Sequence, residues 1–322
     1  ACEPSLATNR VSVLAGGGSG SVNVNSACAW TAVSASPWIR IVTPTGNGSG
    51  KVEYTVDPNP GAFRTGAISV AGQVLLITQT PGNAPIIAVS AADYSPTLTI
   101  GAIHALFGDG LSSQTIAATT QPLPITLDGT QIVLTDDTGR NYDGQLFFVS
   151  PGQINFRVQL DVPPGAINLT VKRNGQAVAS TRFVASRHAP SLFTADGSGR
   201  GIPAAYLLRV RSDNSRIEEP IYDRDALGNI TPRSIRLTDD EDVYLILYGT
   251  GFYTPYPAVA EVEAIFSSGI VQKGLATAAP GFAGLDQVNL LLPRSLRGQG
   301  EVTLTIKRVS TITNPVTIRI AP

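Results

Sequence analysis

Apolar and polar residues alternate with a period of two along much of this chain. In Ser21-Val22-Asn23-Val24, Lys51-Val52-Glu53-Tyr54-Thr55-Val56, Asn168-Leu169-Thr170-Val171 and Glu301-Val302-Thr303-Leu304-Thr305-Ile306, the aliphatic residues fall on one side of an extended backbone. That is the pattern of a half-buried strand. Turn pairs separate such runs, among them Asn47-Gly48, Asp128-Gly129 and Asn174-Gly175. The last follows Val171-Lys172-Arg173 and precedes Gln176-Ala177-Val178, and it predicts a two-residue hairpin, because Asn and Gly tolerate the positive φ angles such a turn requires. No long stripe of helical spacing interrupts the series. The pattern predicts an all-β chain of short strands packed as two-sheet sandwiches.

An internal repeat organises these strands. Gln153-Ile154-Asn155-Phe156 recurs as Gln287-Val288-Asn289-Leu290, and Leu169-Thr170-Val171-Lys172-Arg173 recurs as Leu304-Thr305-Ile306-Lys307-Arg308, 134 and 135 residues apart. Upstream, Leu106-Phe107-Gly108-Asp109-Gly110-Leu111 matches Leu247-Tyr248-Gly249-Thr250-Gly251-Phe252, an aromatic ending a strand before a Gly-x-Gly turn. Three matches in one order read as two copies of one unit. The expectation is three immunoglobulin-like β-sandwich domains in tandem: 1–83, which holds both tryptophans (Trp30 and Trp38) as core candidates, then 84–193 and 194–322.

Composition narrows the function. Only 15% of the residues are charged and the net charge is −1, so no electrostatic footprint for nucleic acid exists. Two histidines (His104, His188) and two cysteines leave little material for a metal centre or a catalytic triad. No cofactor is expected, and the chain reads as no enzyme. The stretches 11–39 and 65–92 lack charge, yet Gly, Pro, Asn and Ser interrupt them too often for a bilayer helix. The Ala start and the absence of Met suggest a mature exported chain whose signal peptide has been removed. In an oxidising compartment Cys2 and Cys28 read as one disulfide; two reduced, buried thiols are the alternative.

Cys2, Gly16-Gly17-Gly18-Ser19-Gly20-Ser21-Val22, Cys28-Ala29-Trp30, Trp38-Ile39, Asn59, Arg64-Thr65-Gly66 and Ile77-Thr78-Gln79 together resemble a BACON domain over nearly all of residues 1–83. That resemblance implies an immunoglobulin-like module on a secreted bacterial protein, serving as a carbohydrate or mucin binder or as a spacer. From about residue 84 onward, Phe148-Val149-Ser150-Pro151-Gly152-Gln153-Ile154-Asn155-Phe156, Ala189-Pro190-Ser191-Leu192-Phe193 and Leu247-Tyr248-Gly249-Thr250-Gly251 resemble the acidobacterial Solibacter-type C-terminal domain. This family is exported and implies no chemistry.

Candidate chemistry is sparse. Asp239-Asp240-Glu241-Asp242 and Asp223-Arg224-Asp225 hold carboxylates, but the second lacks the ligand spacing of a calcium loop, so both read as solvated runs and no metal is expected. Ser150-Pro151-Gly152 is no nucleophile elbow, His188 reads as structural, and Gly16 to Gly20 reads as a turn. For a sugar ligand, Tyr253 and Tyr256 in a Pro-containing loop are the exposed aromatic candidates.

Self-association has its own arguments. Lysine normally guards sheet edges, yet only Lys51, Lys172, Lys273 and Lys307 are present, and several long sandwich edges are expected. Charge concentrates in 194–242, a polar contact surface or a solvated excursion. The expected role is therefore a secreted, non-enzymatic subunit of an extracellular homopolymeric filament or surface layer. The alternative is a carbohydrate-binding adhesion module on the bacterial exterior.

Overall fold

The computed structural model describes residues 4–13, 15–59, 64–79, 86–252 and 259–322. Strands dominate, and the helical content among the described residues is one 3-10 turn, Arg294–Leu296. Buried apolar side chains gather into three separate clusters, between residues 22 and 77, 86 and 185, and 192 and 320. The chain is thus a series of all-β, immunoglobulin-like sandwich units, each closing over its own core.

In the first unit, a sheet ordered Ser5–Leu6, Gly18–Asn25, Gly50–Val56, Ile39–Ile41 faces one ordered Arg10–Val13, Gln73–Gln79, Arg64–Val70, Ala29–Ser34, Thr45–Asn47. Trp30 is buried between them, its indole N–H donating to Gly48 O at 2.9 Å. Trp38 packs against the same core, with the Arg64 guanidinium 4.3 Å above its ring. The glycine run is a turn into Gly18–Asn25. A Cβ on Gly17, where φ is +72°, would come within 2.2 Å of Val56 O, so no other residue fits there.

The second unit pairs two five-stranded sheets. One runs Ile87–Ser90, Ile103–Phe107, Gln153–Arg157, Gln145–Val149, Ile116–Ala117; the other runs Leu98–Thr99, Gln176–Ser186, Gly165–Arg173, Thr130–Asp136, Asn141–Asp143. Asn174 (φ 49°) and Gly175 (φ 81°) form the expected hairpin between Gly165–Arg173 and Gln176–Ser186.

In the third unit one continuous sheet does the same work. Its order is Arg216–Pro220, Ala205–Arg211, Glu241–Thr250, Asp286–Leu291, Val271–Ala278, Val259–Phe266, Glu301–Arg308, Val316–Ile320, Ser234–Ile235. Leu207 near one end and Ile318 near the other share one core, so the sheet folds back on itself. The joining strand is Val271–Ala278, whose Lys273 faces Glu263 as Asp143 faces Val133 in the second unit. The second unit interrupts this strand at Gly144, between Asn141–Asp143 and Gln145–Val149, and its sheets part there.

Register shows the repeat to be structural. Phe107 pairs with Gln153 as Tyr248 pairs with Gln287, and Ala105 pairs with Asn155 as Ile246 pairs with Asn289.

The terminal strands of the described sandwich sheets are two to five residues long, and the longest, Arg216–Pro220, is guarded by Arg216, Glu218, Glu219 and Pro220. The others cover little of their neighbours: Leu98–Thr99 pairs only with Ala185 and Ser186 of Gln176–Ser186, and Ser5–Leu6 only with Val24 and Asn25 of Gly18–Asn25. Residues 176–184 therefore present the expected long edge, with Arg182 as its charge.

Candidate functional site

Alternation in Glu241–Thr250 sends Val243, Leu245 and Leu247 into the third core and Tyr244, Ile246 and Tyr248 to the outer face. Cross-strand pairing then assembles a platform. Tyr206, Ile246, Asn289 and Leu275 form one row across the sheet, and Tyr248, Gln287 and Thr277 form the next. Tyr244 lies between Leu208 and Leu291 on the other side of Ile246. Ile246 is buried beneath this surround, while the three tyrosines are half-buried.

The rings of Tyr206 and Tyr248 are 6.2 Å apart between centroids and tilted by 36°. Burial, then the neighbouring Tyr248 and Glu218, push the Tyr206 phenol above its ordinary pKa, so it stays a neutral donor at physiological pH. Beside the rings, Gln287 Nε2 donates to Asn289 Oδ1 at 2.6 Å, which fixes both amides and leaves the other amide atoms facing solvent. No charged side chain stands within these two rows from Tyr206 and Tyr248 to Leu275 and Thr277; Glu218, paired with Leu208, marks the rim. Flat rings with adjacent fixed amides suit an uncharged ligand with apolar C–H faces and peripheral hydroxyls.

The candidates singled out from sequence fall elsewhere. Tyr253 and Tyr256 lie outside the described residues, as does Cys2. Cys28 opens onto Ala29–Ser34, its N–H bonded to Ser26 Oγ, and no free cysteine occurs among the described residues. The Cys2–Cys28 pairing stands as a proposal, tested by the mass gained on reduction and alkylation of the intact protein.

The acidic run is drawn onto arginines rather than gathered: Asp239 pairs with Arg297 at 2.6 Å, Asp242 lies 3.5 Å from Arg294, and Glu241 receives Arg209 Nη1. The hydrogen bond from Arg297 holds the Asp239 carboxyl below its usual pKa. Asp223 is bound by Arg233, and Asp225 accepts the Leu227 and Asn229 N–H groups in a turn.

Ser150 Oγ donates to Gln153 O and accepts Gln153 N–H, closing a turn. His188 Nδ1 lies 3.1 Å from Arg308 Nη1, and burial, Arg308 and Arg187 lower its pKa. His104 is wholly buried, bonded to the Thr99 backbone, and burial lowers its pKa to about 4.

The platform residues were missed as a site because their motif registers first as a repeat. Alternation in Tyr244-Leu245-Ile246-Leu247-Tyr248 does contain the signal, since it places both tyrosines opposite the leucines.

No family model and no curated protein matches the chain, so the BACON and Solibacter-type resemblances gain no support there. Among solved structures, a Bacteroides ovatus GH5 xyloglucanase is similar at TM-score 0.24 and 15% identity, covering 43% of this chain, which spans only 30% of that one. A titin I9–I11 tandem gives TM-score 0.29 and 6% identity over 99% of this chain and 100% of its own. The Bacteroides ovatus mixed-linkage glucan utilisation protein SGBP-B gives 0.32 and 10% over 99% and 70%. At such low TM-scores none of these likenesses bears on function.

Proposed function

We propose that this chain is a non-enzymatic, extracellular carbohydrate-binding protein that contacts neutral glycans through the tyrosine face of its third unit. The observation that carries this reading is the pairing of Tyr206 and Tyr248 beside the fixed Gln287–Asn289 amides on an outer face without central charge. Half-buried rings held by sheet pairing lose little freedom on binding, which favours affinity from a flat contact. Tyr253 and Tyr256 extend the proposal, since they follow the strand that carries Tyr248 within a few residues of sequence.

The test is a neutral glycan array on the purified protein. Tyr206→Ala combined with Tyr248→Ala should weaken binding at least tenfold, about 1.4 kcal/mol, in a variant shown by circular dichroism to stay folded at the assay temperature. Absence of any glycan hit, or wild-type binding by the double variant, removes the reading; Tyr256→Ala separates the loop from the face.

One observation favours the filament or surface-layer reading. The outer face of Arg10–Val13, Gln73–Gln79, Arg64–Val70 and Ala29–Ser34 carries exposed Val33 and Val74 with Ala67 and Ser69, and its described charge is Arg10. Flat-face packing between copies is the association this supports, alongside pairing at the outer edge of 176–184. Electron microscopy at neutral pH should then show regular assemblies that Val74→Lys disperses; monodisperse monomers exclude it.

A further inference from the structure

The second unit carries the same arrangement as the proposed site, and half of it arrives by a different route through the chain. Phe107 holds the position of Tyr248, each opposite the glutamine of the repeat. Gln153 Nε2 donates to Asn155 Oδ1 at 2.8 Å, as Gln287 does to Asn289 at 2.6 Å. These features follow from duplication.

The second ring does not. Tyr206 stands on the strand Ala205–Arg211, whereas Tyr94 stands in the turn after Ile87–Ser90 at φ 61°, its N–H bonded to Ser90 O. Yet Tyr94 and Phe107 lie 6.4 Å apart at 35°, against 6.2 Å and 36° for Tyr206 and Tyr248. Tyr94 is about half exposed, and its hydroxyl donates to Gly197 O at 3.1 Å, which anchors the ring against the third unit. A positive φ on a bulky residue is costly, and here it is held by the Ser90 and Gly197 carbonyls. Inheritance explains the amides and Phe107, but not a second ring restored from another segment.

From this recurrence we infer that the second unit holds a second glycan site, formed by Tyr94, Phe107, Gln153 and Asn155, making each chain bivalent. The inference rests on the carbohydrate reading of the third unit. Charge selects the ligand class: the margin of one face carries Glu218 and that of the other Arg157, so a ligand acceptable to both is uncharged. The two units are joined by Ile103 N–H to Thr250 Oγ1 (2.9 Å) and by Ser90 Oγ to Ser191 Oγ (3.2 Å), Ser191 itself pairing with Thr250 of the third unit, so both sites sit on a jointed pair. A polysaccharide held at two points gains avidity without any new contact.

The experiment is isothermal titration of the full chain with neutral hexasaccharides (cello-, xylo-, manno- and chitohexaose), followed by the polymer of the best-bound sugar. Two hexasaccharides per chain are expected. Tyr94→Ala with Phe107→Ala should reduce this to one and weaken polymer binding at least tenfold; Phe107→Leu combined with Gln153→Ala, both within the proposed site, should give the same loss where the alanine variant fails to fold.

A stoichiometry of one, abolished by Tyr206→Ala with Tyr248→Ala and untouched by the second-unit variants, overturns the inference and leaves the proposed function standing. A stoichiometry of one abolished only by the second-unit variants upholds the second site and overturns the third-unit reading. No binding by any sugar overturns both.

Discussion

The second and third units are copies that settled the same problems with different side chains, and their interiors differ most in how they treat charge. The second unit keeps a neutral imidazole, His104, inside its core. The third buries a cation: Arg209 donates to Glu219 at 2.9 Å and to Glu241, with Glu241 itself nearly enclosed. Burial pulls the Arg209 pKa down, and its hydrogen bonds to the Glu219 and Glu241 carboxylates, with their charge, more than reverse it. One framework thus accommodates a buried titratable group either by keeping it uncharged or by surrounding it with opposite charge.

The sharpest way to break the comparison is Arg209→Met. It strands Glu241 without its cation and should destabilise the third unit by about 3 kcal/mol in urea unfolding. A loss below about 1 kcal/mol would show that the ion pair is no structural element.

The second test uses acid. Because the folded pKa of His104 lies near 4, against 6.5 for an ordinary histidine, its contribution is complete above pH 6.5 and is lost as pH falls from 6.5 towards 4. At pH 5 the cost is about 2 kcal/mol. The exposed carboxylates of the third unit behave oppositely in range. Asp223, Asp225 and Asp239, held low by Arg233, Asn229 and Arg297, lose their contribution only below their ordinary values near pH 4. Hydrogen exchange corrected for intrinsic rate should therefore show 103–107 losing protection at pH 5 before 241–250, and His104→Gln should erase the difference.

The smallest effect concerns the paired turns. Val309 occupies the place of Asn174 and has φ 54°, a conformation that β-branched residues resist, and it is exposed. Val309→Asn should stabilise the third unit by about 1 kcal/mol, and Asn174→Val should destabilise the second by a similar amount. Equal melting of both variants and the parent would remove turn strain as the difference between copies.

Much of this was legible in the chain. Val22, Val52, Leu169 and Val302 all point into cores as their alternation predicts. Asn174-Gly175 turns where its chemistry requires, and Trp30 is buried as expected. Counting lysines did not say which edge is open: Arg216–Pro220 is guarded by charge, while 176–184 lacks an outer strand, because pairing ends where a partner strand ends, which depends on distant segments. The acidic run reads as solvated and Asp239 and Asp242 are exposed, but their partners Arg294 and Arg297 lie more than fifty residues further along the chain, beyond any local pattern.

Alternation, turn residues and duplication act over a few neighbouring positions or copy them, so the linear order of amino acids suffices to establish strand identity, facing and the all-β architecture. The proposed recognition face is different in kind. Tyr206 meets Tyr248, and Tyr94 meets Phe107, only after each sheet has chosen its strand neighbours and each core has turned those side chains outward. Packing free energy summed over the whole unit makes that choice, and no local stretch contains it.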